Sequence, residues 1–211
     1  MKNNVLTTMA AATIVMAFPS CRKTLVDGPS VTRTYNVTGF NGVNESIDAE
    51  VHYTQDKNYK LEIYAQNDIQ DDIETPIVDG ELRLQFRKFT NWSRHNKIIV
   101  YVSSPDVKSL GVNGSGSVHV SAPIQSNNLK LKVNGSGSVN VNSFEGQSIT
   151  GDISGSGRIT VSGGTTTTSD LRISGSGDID MLGLYAQNVN AQISGSGTTT
   201  VNVSNSLDVR I

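Results

Sequence analysis

Val112-Asn113-Gly114-Ser115-Gly116-Ser117-Val118-His119-Val120 opens a metre that runs to the end of the chain. Gly-Ser-Gly returns at Gly135-Ser136-Gly137, Gly155-Ser156-Gly157, Gly175-Ser176-Gly177 and Gly195-Ser196-Gly197, in steps of 21, 20, 20 and 20 residues. A unit this short cannot enclose a core by itself and must stack on its copies. Aligned on their glycines, the units alternate in character as strands do. Val112, Val133, Ile153, Ile173 and Ile193 form one apolar column before the corner; Val118, Val139, Ile159 and Ile179, closed by Thr199, form another after it. The columns between them are polar, as in Ser117, Ser138, Arg158, Asp178 and Thr198, or His119, Asn140, Thr160, Asp180 and Thr200.

Each unit therefore reads as a strand, a sharp corner, a second strand and a short return, which is one coil of a parallel β-helix. The same glycines could instead turn antiparallel hairpins. The charged columns favour stacked coils, because parallel register puts Lys132, Asp152 and Arg172 in alternating sign and sets Arg158 beside Asp178. The expected class is all-β, a single-stranded parallel β-helix with ~20-residue coils. In it Gly114, Gly116, Gly135, Gly137, Gly155, Gly157, Gly175, Gly177, Gly195 and Gly197 are structural corners. The Asn113, Asn134, Ser154, Ser174 and Ser194 column is expected to cap those corners through side-chain hydrogen bonds. The final Val209-Arg210-Ile211 matches the Leu171-Arg172-Ile173 lead-in to a corner, so this end is expected to be covered by a partner or by further sequence, or else to be exposed and prone to self-association.

Residues 31–105 lack the metre but keep strand-like alternation around Val51-His52-Tyr53, Leu61-Glu62-Ile63, Leu82-Arg83-Leu84 and Ile98–Val102. Asn67, Asp68, Asp71 and Asp72 suit a short capped helix, and Asp79-Gly80 a turn. This segment reads either as irregular coils of the same β-helix or as a small sheet that caps it; with no long linker between, continuity is preferred. The expected layout is thus irregular coils over 31–105 and regular coils over 106–211. Ten of the twelve aromatic residues lie before residue 111, and 16 of the 20 glycines lie after residue 110, so two compositional regimes meet near Pro105.

Residues 1–20 read as a signal peptide: Lys2 precedes an apolar run from Val5 to Phe18 that is shorter than the ~20 residues a membrane span needs. Cys21, the only cysteine, follows directly. A lone cysteine there resembles a bacterial lipobox, although Phe18 and Pro19 depart from its usual residues, and the resemblance implies lipid attachment at Cys21 with residues 21–30 as a tether. A net charge of -2 gives no reason to expect nucleic acid as a partner.

For binding, the distinctive stretch is Phe86 to Lys97, where Arg87, Lys88, Trp92, Arg94, His95 and Lys97 occur without an acid and Trp92 is the only tryptophan. An aromatic among cations can stack on a sugar or hold an anionic glycan. Catalysis finds less support. His52, His95 and His119 are scattered, no nucleophile elbow or HExxH spacing occurs, and Asp178 is not repeated in the other units as a calcium β-roll requires. No cofactor or metal site is expected.

Tyr35-Asn36-Val37-Thr38-Gly39-Phe40, the lipobox-like Cys21 and the Asn113–Val118 unit with its echoes together resemble the auto-transporter adhesin head GIN domain family over residues 31–211. The resemblance implies a right-handed β-helix, export to the cell envelope of a Gram-negative bacterium, often as an outer-membrane lipoprotein, and an adhesin-like role toward a glycan or surface protein. It brings no catalytic residues. A carbohydrate-active enzyme and a self-associating scaffold stand as the alternatives.

Overall fold

The computed structural model describes residues 28–88, 92 and 96–211. Its regular part is a β-solenoid of about five turns with ~20-residue coils. Ahead of each corner, Ser109–Gly114 pairs in parallel with Asn128–Gly135, and the series continues through Phe144–Gly155, Gly164–Gly175, Asp178–Gly195 and Thr198–Arg210. Beyond the corner, Ser117–Val120, Ser138–Val141, Arg158–Val161 and the first residues of the last two strands stack likewise. The third side begins with Ile124–Gln125 against Phe144 and Glu145. Parallel register throughout excludes a hairpin at each Gly-Ser-Gly.

The apolar columns fill the interior. Leu110, Val112, Leu131, Val133, Ile153, Val118, Val139 and Ile159 are wholly shielded from solvent, each buried aliphatic contributing about 1.5–3 kcal/mol. Gly151 interrupts one column, and the space beside it is taken by Leu171, Ile179 and Met181, whose nearest atoms lie 3.1–3.4 Å from where a Cβ would sit. Outside, Arg158 Nη2 donates to Asp178 Oδ2 at 3.0 Å, one coil apart. Both side chains are largely exposed, so Arg158→Ala is expected to lower stability by less than about 1 kcal/mol in urea unfolding. Lys132, Asp152 and Arg172 occupy successive rungs, as their alternating sign requires.

The asparagines act differently from the expected corner caps. Asn134 Nδ2 donates to Asn113 Oδ1 at 2.8 Å, and Asn113 Nδ2 donates to Asn44 Oδ1 at 2.6 Å. They bond along the stack, one rung to the next, because the corner amides already have backbone partners: Ser136 and Gly137 N–H both donate to Gly114 O at 2.9 Å.

The amino-terminal segment contributes rungs to the same stack, out of chain order. Gly42–Glu45 lies between Glu81–Phe86 and Ser109–Gly114, parallel to both. Ala49–Gln55 likewise lies between Ile98–Ser104 and Ser117–Val120. The chain thus makes one coil, leaves it, lays a second coil beneath, and climbs past the first to begin the regular array. The departing stretch closes the lower end. Lys60–Gln66 runs antiparallel to Ile98–Ser104, with Ser30–Thr34 antiparallel beyond it, while Ile73–Glu74 and Ile77–Val78 pair antiparallel with Glu81–Phe86.

Asp79 and Gly80, both at positive φ (54° and 78°), form the tight turn into that last pairing. Asn67–Gln70 is a single helical turn whose N-cap is Gln66, without a side-chain cap bond. Asn67, expected as the cap, instead accepts a hydrogen bond from Arg33 through Oδ1.

Candidate binding face

The side of the solenoid that follows the corner carries two outward columns. One runs Glu50, Ser117, Ser138, Arg158, Asp178, Thr198; the other runs Tyr101, His52, His119, Asn140, Thr160, Asp180, Thr200. Strand alternation turns these residues out because their neighbours Val51, Tyr53, Val118 and Val120 turn into the core.

Three rings stack along the second column. Tyr101 and His52 have centroids 5.2 Å apart with planes 17° from parallel, and His52 and His119 follow at 5.8 Å and 28°. Each imidazole is held from its own strand. His52 Nε2 lies 2.8 Å from Glu50 Oε1, and His119 Nε2 lies 3.1 Å from Ser117 Oγ. Lys97 completes the row by pairing with Glu50 Oε2. The Lys97 ammonium, more than His52, holds the Glu50 carboxyl below the usual carboxylate range. Tyr101 is 45% exposed. Beside the stack, His52, Thr54, Asp56, Asn58, Lys60 and Tyr101 border a hollow of about 390 Å³. Further along, His119, Ser121, Asn140 and Thr160 border one of about 340 Å³.

The described residues on either side of the Phe86–Lys97 stretch belong to the lowest coil, where Leu84 pairs with Glu45 and Ile98 with Ala49. Arg87 and Lys97 meet acids from elsewhere in the chain. Arg87 Nη1 and Nε lie 3.5 and 3.7 Å from Asp72 and Glu74, and Nη2 donates to Asp71 O at 3.0 Å. Trp92 is half-buried against the core, so its ring has a packing role that the sequence did not disclose. Lys88 is exposed. Arg94 and His95 lie outside the described residues, as do Cys21 and the signal segment.

One rung higher, the corner contains a buried acid. Glu45 occupies an inward column opposite Val112 and is fully shielded. Its Oε1 accepts the N–H groups of Ile47 and Ala49 at 2.7 and 2.9 Å, whereas Oε2 has no hydrogen-bond partner. Burial, aided by the Asp48 charge and opposed by the backbone bonds, pushes its carboxyl up to about 7. The space above it is available because Gly116 has no side chain; a Cβ there would lie 2.2 Å from Oε2.

Chemically the face offers hydroxyls, amides, imidazoles and alternating charges for hydrogen bonding. The Ser117–His119 contact is the nearest approach to a nucleophile and base, and among the described residues no carboxylate bonds the other nitrogen of His119 to orient it. Asp178 is occupied by Arg158, and Asp180 Oδ1 accepts the Leu182 N–H at 3.1 Å. Among the described residues no group of three or more His, Cys, Asp or Glu side chains could hold a metal ion.

The model of the family described as "Putative auto-transporter adhesin, head GIN domain" matches residues 39–211. Among solved structures, a putative adhesin from Bacteroides fragilis is 28% identical with a TM-score of 0.82, over 88% of this chain and 86% of its own. A putative lipid binding protein from Parabacteroides distasonis and a putative adhesin from Parabacteroides merdae both reach a TM-score of 0.63, at 20% and 19% identity. They match 87% of this chain and 95% and 94% of their own, and at such identity they share the fold. No curated protein matches the chain.

Proposed function

Because the chain belongs to the auto-transporter adhesin head GIN domain family, we propose that it is an adhesin-like, non-enzymatic protein of the cell envelope that engages a glycan through the polar face beginning at Tyr101, His52 and His119. The observation that carries this reading is the ring stack itself. Three conjugated side chains held by Glu50, Ser117 and each other form a fixed amphipathic edge beside a hollow lined with Asp56, Asn58 and Lys60. Sugars are bound by such combinations, apolar C–H faces against rings and hydroxyls against carboxylates and amides. The short returns and shallow hollows suit contact along an extended chain rather than enclosure of a small substrate.

Glycan arrays probed with the purified chain test the reading. Binding to a defined set of glycans is expected, with a loss of at least about tenfold on Tyr101→Ala, since the side chain is a large exposed contact. Far-UV circular dichroism should be unchanged. Blank arrays together with blank cell-adhesion assays would overturn the proposal. Lys88→Glu and Arg94→Glu address the Phe86–Lys97 stretch: weaker binding would add it to the contact surface.

Anchoring through Cys21 belongs to the same proposal. The motif at Phe18-Pro19-Ser20-Cys21 supports it, and a lipid on a cysteine would hold the solenoid at the membrane by its capped end. Expressed in a Gram-negative host, the chain should incorporate labelled fatty acid and fractionate with membranes. Cys21→Ser should abolish the label and release the protein to the soluble fraction.

A further inference from the structure

The coil formed by Gly42–Glu45 and Ala49–Gln55 lacks a third strand of its own. After Gln55 the chain departs for Lys60–Gln66, which runs antiparallel to Ile98–Ser104. Pro105, Asp106 and Val107 cross the level instead, carrying the chain from the rung below Ala49–Gln55 to the rung above Gly42–Glu45. Ile124–Gln125, the third side of the next coil, therefore pairs with a strand on one side, at Phe144 and Glu145. On the other side the Gln55 amide takes the place of a rung. Its Oε1 accepts the Gln125 N–H at 2.9 Å, and its Nε2 donates to Gln125 O at 3.0 Å and to Pro105 O at 3.2 Å. Over this amide lies a hollow of about 640 Å³, bordered by Asp56, Lys57, Asn58, Pro105, Pro123 and Gln125.

The rim of the hollow is held from both sides. Asp56 N–H donates to Ser104 O at 3.1 Å, and the buried Ser103 Oγ donates to Asn58 O at 2.8 Å. Within the turn, Asp56 Oδ1 accepts the Asn58 N–H at 2.9 Å. Among the described residues nothing bonds Asp56 Oδ2 or the Lys57 ammonium. The Pro105 and Pro123 rings are exposed. A fixed turn thus presents a free acceptor, a free donor and an amide beside two apolar rings. Asp56 and Asn58 also border the hollow beside Tyr101 and His52, so the two hollows meet along this turn. His52 and Gln55 are three residues apart on one strand, a separation of ~10 Å.

We propose that this hollow is a second sugar subsite, taking a neutral hexose of an oligosaccharide whose other residues lie on the ring stack. The proposal rests on the glycan reading of that stack. Vicinal hydroxyls of the hexose donate to Asp56 Oδ2 and accept from Lys57 Nζ and Asn58 Nδ2, while its C–H faces pack on the proline rings. One carboxylate and one ammonium balance in charge, which suits an uncharged sugar better than an acidic one. The subsite also sets a direction for the sugar chain. It runs along Ala49–Gln55, from His52 past Asp56 and Asn58, and round the edge of the solenoid to Gln125.

Titration of the purified, isotope-labelled chain with disaccharides and longer linear oligomers of glucose, mannose and galactose, followed by NMR and calorimetry, tests the subsite. A disaccharide is expected to shift the ring signals of Tyr101 and His52. A longer oligomer should also shift the Lys57 backbone amide and the Gln55 and Gln125 side-chain amides, and should bind at least about tenfold tighter. Lys57→Ala and Pro123→Ala, both at exposed positions that do not border the hollow beside the ring stack, should each remove most of that gain. Their disaccharide affinity and far-UV circular dichroism should match the parent. Shifts at Tyr101 and His52 alone at every length, with both variants binding like the parent, would overturn the subsite and leave the ring-stack reading standing. Shifts confined to Lys57, Gln55 and Gln125 would support the subsite and overturn the ring-stack reading. Silence at both sets with every oligomer, or a preference for uronic-acid oligomers over neutral ones, would overturn the proposal.

Discussion

Gly135→Ala is expected to lower the stability of the solenoid by about 3–5 kcal/mol. Gly135 sits at φ 120°, where an L side chain is strained, and its Cβ would lie 2.5 Å from Gly114 O. That oxygen cannot move aside, because it accepts the N–H groups of Ser136 and Gly137 at 2.9 Å and so ties one coil to the next. Gly114 separates the two causes. Its φ is 116°, but a Cβ there would have no atom within 4 Å, since the rung below turns its corner through Ile47, Asp48 and Ala49. Gly114→Ala should therefore carry the backbone strain alone, about 1–2 kcal/mol.

Thermal and urea unfolding of the two variants read the difference. For a chain of this size, a melting temperature about 10 °C below the parent is expected for Gly135→Ala and about 4 °C for Gly114→Ala. Equal losses would mean that the contact between corners contributes nothing and that only φ selects glycine. The outcome bears on function, because the corner fixes where each outward column begins. A coil that slips at Gly135 moves Ser138 and Asn140 relative to Ser117 and His119, which are their partners in register.

The regular coils are legible in the sequence for the same reason that these glycines are irreplaceable. Backbone packed on backbone tolerates one residue type, and repetition every 20 residues displays that constraint five times. The site is less legible. Alternation points His52 and His119 outward, but their contact depends on Ala49–Gln55 lying directly beneath Ser117–Val120, although six other strands intervene in the sequence. Nothing local reports such a detour. The Phe86–Lys97 stretch has no acid of its own, yet Asp72 and Glu74 reach Arg87, and Glu50 reaches Lys97, from two other places in the chain. Glu45 left a usable trace. In Gly42-Val43-Asn44-Glu45 it has the parity of Val43, so strand alternation alone places it inside.

That buried acid makes the fold respond to pH near neutrality. The Glu45 carboxyl titrates at about 7 against an ordinary 4.5, so the folded chain holds its proton more tightly than the unfolded chain does. The stabilisation this gives is complete below pH 4.5 and is lost as pH rises through 7, an effect of about 3 kcal/mol. Ionisation strengthens the bonds from Ile47 and Ala49 N–H but strands the second oxygen, which has no partner and faces Gly116. Asp48, the charged neighbour on the same corner, adds repulsion. Glu45→Gln retains an acceptor for the two amides and removes the charge. Urea midpoints from pH 4.5 to 8.5 should fall for the parent and much less for the variant, which should be the more stable of the two at pH 8.5 by about 2–3 kcal/mol. Parallel curves would show that Glu45 titrates in its ordinary range and that the corner is held by its backbone alone. With the predicted divergence, the Ile47-Asp48-Ala49 corner is weakest above neutral pH, and its neighbour Glu50, with His52 and Lys97 attached, is the part of the binding face most exposed to that weakness.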